Sequence, residues 1–178
     1  VVSYTEFVEI ELAEPMEVEK AALALDAALP RGIRVLAADA VDTHHAALMS
    51  QAAGASYRVT LPYSKDVSAA VAEFNAAPEL LFKKAAPKTK AKFKEIDVKF
   101  YIPQLTAEQT ETETIFSFDC KITPTGSMKA VDLLNALNEQ YGLALPVEMA
   151  DIERLRLYRN NKNGKPIPML NSDAVTLG

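Results

Sequence analysis

The residues whose types could do chemistry are few. They are two adjacent histidines, one cysteine, and two segments dense in lysine and arginine. His44 and His45 sit in a polar stretch, with Asp39 and Asp42 nearby. Adjacent side chains do not converge easily on one metal ion, and no Cys or second His pair lies close in sequence. An exposed loop pair is the expected reading. Cys120 falls on the apolar face of an alternating stretch, so it reads as a small core hydrophobe. A reactive thiol would want an exposed, electropositive setting.

Other chemistries are excluded by motif. There is no Cys-x-x-x-Cys-x-x-Cys set for an iron–sulfur cluster. None of the six glycines is spaced as a phosphate-binding loop, and no Gly-x-Ser-x-Gly elbow occurs. Glu9, Glu11, Glu95 and Asp97 lie on the expected outer faces of strands, where solvation explains them. No catalytic residue, metal site or cofactor is expected in this chain.

Charge is the informative polar signal. The 178 residues carry a formal net charge of −5. Lys83 to Lys99 holds seven lysines against Glu95 and Asp97, a net +5. Arg154 to Lys165 holds five basic residues and no acid, again +5, which leaves −15 on the remainder. If the two segments shared a face, that face would suit a polyanion. The candidate phosphate contacts are Lys88, Lys90, Lys92, Lys94, Arg154, Arg156 and Arg159, with Tyr101 and Tyr158 as stacking surfaces. The plainer reading is that lysine-rich edges resist aggregation.

These residues need elements to position them. Hydrophobic residues make up 49% of the chain, enough for a core and too many for a disordered tail. A single Cys excludes a disulfide scaffold, and no apolar run approaches the roughly 20 residues of a membrane span. A soluble cytoplasmic chain is expected. Tyr4–Leu12 alternates as a strand, Pro15–Leu29 has helical spacing, and Ile33–Ala40 reads as a second strand. From Tyr57 the order is strand, helix (Ser64–Ala77), hairpin (Leu80–Phe82 with Phe93–Ile102), strand (Phe116–Ile122), helix from an N-cap at Ser127 to Tyr141, and strand (Ile152–Tyr158). Ala46–Ala53 reads as a weak helix ended by Gly54, and Pro103–Thr114 as a polar turn.

This pattern predicts an α+β fold of ferredoxin-like split β-α-β units in tandem, with antiparallel sheets and helices on one face. The expected division is a partial β-α-β half over 1–42, a connection over 43–55, a complete domain over 56–159 and a mobile tail over 160–178. The half unit would need mending by the second domain or by another chain, dimerisation included. A first residue already entering a strand suggests a piece of a longer protein.

Four stretches carry a resemblance: Tyr4–Met16, Asp26–Leu36, Ala55–Pro62 and Lys94–Val98. Together they resemble the radical-SAM-linked domain of unknown function, a bacterial family found beside or fused to the C-terminus of a radical SAM protein with a cobalamin-type domain. The resemblance spans roughly Tyr4 to Tyr158. The family's upstream Ser-His-Leu-Asp and Gly-Phe-Asn-Pro stretches do not occur here, which implies a missing N-terminal part. Frequent neighbours of the family, ribonuclease E/G-type and ribosomal proteins, suggest RNA.

The resemblance implies a non-catalytic accessory domain that presents RNA, in the first place tRNA, or a protein substrate to a radical SAM enzyme in cis or in trans. That partner would carry the iron–sulfur cluster and S-adenosylmethionine. The alternative is an assembly module that docks the radical SAM core without nucleic acid. A third reading, an RNA-modifying enzyme like the tRNA pseudouridine synthases, lacks their Gly-Arg-Thr-Asp motif.

Overall fold

A strand needs alternate side chains to bury and a neighbour for its backbone. The computed structural model describes residues 2–42, 44–85 and 92–177. In chain order its elements are β1 (Val2–Ser3), α1 (Val18–Ala28), β2 (Ala37–Ala38), α2 (Leu48–Gln51), β3 (Ala52–Leu61), α3 (Ser68–Ala76), β4 (Leu81–Ala85), β5 (Phe93–Asp97), α4 (Val98–Tyr101), β6 (Thr106–Gln109), β7 (Thr114–Thr123), β8 (Gly126–Ser127), α5 (Ala130–Tyr141), β9 (Asp151–Asn160), β10 (Pro166–Pro168) and β11 (Val175–Thr176). They fall into two units, Val1–Glu6 with Ala52–Tyr158, and Phe7–Gln51 with Arg159–Gly178.

The first unit is an α+β fold. Its sheet runs β1-β9-β3-β7-β6. Chain order β3-α3-β6-β7-α5-β9 and sheet order β9-β3-β7-β6 together give the ferredoxin-like split β-α-β arrangement. β3 and β7 pair antiparallel from Gly54↔Lys121 to Leu61↔Thr114. Their inward residues Val59, Leu61, Phe116 and Phe118 form one core with Phe74 of α3 and Leu133, Leu134 and Leu137 of α5. Tyr57 and Phe118 face each other across the pair and stack at 5.5 Å. α5 ends at Gly142, whose φ of 63° suits a left-handed cap.

Four local expectations differ from this unit. The second strand of the ferredoxin-like order is β6, inside the stretch expected to be a turn. Thr106, Glu108 and Gln109 are polar and exposed because the strand lies at a sheet edge, and only Ala107 turns toward the core. Phe93–Ile102 is not one strand. It pairs with β4 only to Asp97, whose carboxylate then accepts from the Leu80 and Lys99 N–H groups and starts α4. Val98 and Ile102 are both buried because residues four apart share a helix face, so a period of two also fitted the sequence. Gly54 lies inside β3 and ends no helix, since the helix before it stops at Gln51. α5 starts after Lys129 rather than at Ser127, which belongs to β8.

The second unit differs more. Tyr4–Leu12 does not form a strand beyond Ser3, and Ile33–Ala40 pairs only at Ala37–Ala38. The expected β-α-β half keeps its helix and loses its sheet, because beyond the Tyr4 N–H, which bonds Arg154 O, the first stretch has no backbone pairing among the described residues. α1 is closed by Asp26, whose carboxylate accepts from Arg34 Nε at 2.9 Å and the Val35 N–H at 2.8 Å. The tail expected to be mobile is tied down instead. β11 pairs with β2, the Leu177 N–H donates to Leu36 O at 2.9 Å, and Asn171 donates to Asp39 at 2.8 Å.

Candidate functional site

The two basic segments end up in different settings. Lys88 and Lys90 lie outside the described residues. Lys92 precedes β5 with a positive φ of 58°, and Lys94 lies on β5 directly opposite Lys84 of β4. Like charges so placed repel. Lys84 is relieved by Asp132 of α5, at 2.5 Å. Asp132 is nearly buried and also accepts from the Lys129 N–H at 3.3 Å. Lys99 is likewise structural: its ammonium donates to Pro103 O at 2.5 Å, lies 4.5 Å from the centre of the Phe74 ring, and has its pKa lowered by burial.

The arginines are held by neighbours. Arg154 is bonded to Glu6 and reaches Ser3 Oγ at 3.3 Å. Arg156 donates to Ser56 Oγ at 3.3 Å, approaches Asp119 at 3.9 Å, and lies 5.3 Å from the Tyr158 ring centre. Arg159, in the second unit, donates to Pro168 O at 3.1 Å and Asn171 at 2.8 Å. Arg154 and Arg156 do not share a face. Arg156 bonds Ser56, while Arg154 lies by Tyr57, the next residue of β3 and therefore on the other side. Glu153 reaches Arg58 at 3.8 Å, on the same face as Ser56. Residues 153 and 156 on one face mean that the alternation of β9 slips by one between them. Sequence periodicity alone carries no sign of that slip.

Lys94 and Arg156 therefore occupy different surroundings. Lys94, with Lys84, lines a hollow of about 120 Å³ against Tyr101 and the Thr125–Ser127 turn. Beside it a cleft of about 760 Å³ sets Lys83, Lys84 and Phe93 against Lys129, Asp132 and Asn135. This cleft was not legible from sequence, because hairpin and helix are more than 30 residues apart. Its lining sets lysines and the acids Asp132 and Glu139 beside the apolar Phe82 and Phe93, a surface of mixed charge and apolar contact. Arg156 instead lies on the open sheet face, where Arg58–Glu153 and Arg156–Asp119 balance their charges.

The remaining reactive types are accounted for. Cys120 is buried, donates to Met128 O at 3.4 Å, and has its thiol pKa pushed up by desolvation. His45 bonds Glu9 at 2.5 Å and Asp42 O at 2.7 Å. The Glu9 hydrogen bond raises its pKa above the ordinary value. The Leu48 N–H, with His45, lowers that of Glu9. Among the described residues no group of three or more His, Cys, Asp or Glu is placed to hold a metal ion. No helix among them is long and apolar enough to cross a membrane.

A family of uncharacterized proteins conserved in bacteria, DUF2344, matches residues 1–133. The chain belongs to that family. The match takes in the second unit's N-terminal segment, the β4–β5 hairpin and the start of α5. It stops before β9, so the arginines lie outside it and the lysine hairpin lies within it. No curated protein matches the chain.

Proposed function

We propose that this chain is a non-catalytic accessory domain of a radical SAM system, and that it docks its partner enzyme by protein–protein contact. The radical SAM link rests on the resemblance carried by Tyr4–Met16, Asp26–Leu36, Ala55–Pro62 and Lys94–Val98. The bacterial family that matches residues 1–133 agrees with it at a coarser level. The observation that favours docking over RNA presentation is the state of the arginines. Arg154, Arg156 and Arg159 are each engaged by the chain's own acceptors. Arg154, paired with Glu6, already has a carboxylate and releases fewer counterions on meeting a phosphate, while Arg156 and Arg159 are tied to neutral acceptors that a phosphate would have to displace.

One observation favours the RNA reading. Lys83, Lys84, Lys94 and Lys129 gather around the hairpin and its two hollows. Bulk tRNA tested by gel shift at low salt separates the two readings. Docking predicts no shift. A salt-dependent shift that disappears on replacing Lys83, Lys94 and Lys129 with Ala would overturn it in favour of RNA.

A further inference from the structure

A stretch that alternates apolar and acidic residues should bury the apolar set. In Phe7–Leu12 the apolar Val8, Ile10 and Leu12 stay exposed instead. Glu9 is turned to its own unit, held by His45 and the Leu48 N–H, and Phe7 on the same parity is half-buried. Val8, Ile10 and Leu12, on the other parity, are 72%, 55% and 43% exposed. Between Phe7 and Met16 no backbone group takes part in a backbone–backbone hydrogen bond among the described residues. The unit around the stretch is also short of core. Among the described residues it contributes only Ala22 and Met169 to the buried hydrophobics, against nine exposed large ones. A segment whose backbone is unpaired and whose apolar residues are exposed is open to an added strand.

Charge decides what is added. Phe7 to Glu19 holds five glutamates and no base. A second copy pairing antiparallel about Ile10 would put Glu9 opposite Glu11 twice, and like charges directly opposite repel. We infer that Phe7–Leu12 takes up an extended segment of a partner polypeptide as a β-strand, one in which apolar residues alternate with Lys or Arg. The apolar side chains cover Val8, Ile10 and Leu12, and the basic ones answer Glu11, Glu9 being held already by His45 and the Leu48 N–H. This rests on the docking reading above and adds the surface and the chemistry of its occupant.

The test is amide NMR on the full 178-residue chain. It is titrated with an acetylated, amidated peptide of alternating Val and Lys, and separately with its Val/Glu counterpart. The expected result is saturable shifts in the Phe7–Leu12 amides with the Val/Lys peptide alone, lost in Ile10→Lys. Ile10 is exposed, so that variant keeps the fold. No shift, or equal shifts with both peptides, overturns the inference. Shifts at the same amides on raising the protein concentration alone also overturn it, since a second copy would then be the occupant. A complex with the radical SAM partner that survives Ile10→Lys would leave docking standing and remove this surface from it.

Discussion

The phenol end of Tyr158 occupies the space where residue 54 would carry a β-carbon. Gly54 lies inside β3 with ordinary negative φ, so the requirement is for room and not for a left-handed backbone. The two residues lock β9 to β3 just beyond the slip that separates Arg154 from Arg156. Gly54→Ala should therefore destabilise the fold by about 1–3 kcal/mol, the usual cost of overpacking. Tyr158→Leu in the same background should restore part of it. Urea melts of the single and double variants measure both.

Asp132 joins α5 to the lysine hairpin. It accepts from Lys84, which faces Lys94 across the β4–β5 pair, and from the Lys129 N–H at the start of the helix. Asp132→Ala should cost about 1–3 kcal/mol, because it leaves a partly buried ammonium without its acceptor. In a double-mutant cycle with Lys84→Met the coupling should be favourable. Zero coupling would mean that the helix cap carries the whole effect.

His45 and Glu9 give a pH signature. The folded His45 value lies above its ordinary level of about 6.5, so its contribution is full below that level and fades as pH rises through the raised value. Glu9 is shifted downward, so its share is present above the ordinary carboxylate range and is lost as pH falls through the depressed value. The pair is thus intact between the two folded values. An NMR titration should place the His45 midpoint above 6.5, and Glu9→Gln should return it toward that level.

The Cys120 thiol is buried and its pKa raised by desolvation. It should resist a thiol-specific disulfide reagent in the native chain and react stoichiometrically in denaturant. Rapid reaction under native conditions would contradict the core placement.

Where side chains alternate and the backbone also has a neighbour, sequence and structure agree. β7 is expected at Phe116–Ile122 and found at Thr114–Thr123, and β9 is expected at Ile152–Tyr158 and found at Asp151–Asn160. β6 carries no apolar alternation because an edge strand can be polar, so it was hidden. Tyr4–Leu12 fails for the opposite reason. Its alternating apolar residues stay exposed, and the segment finds no ladder partner among the described residues. The basic segments were visible as charge. Their separation was not, since Asp132, Glu6 and Asp119 reach them only through the fold, and the slip in β9 turns Arg154 and Arg156 apart.

The most direct measurement is coelution of the 178-residue chain with the radical SAM protein proposed as its partner, on size exclusion at moderate salt. The docking account predicts a complex that persists when Lys83, Lys94 and Lys129 are replaced with Ala and after nuclease treatment. A chain that elutes alone, or a complex that falls apart on nuclease treatment, would contradict it.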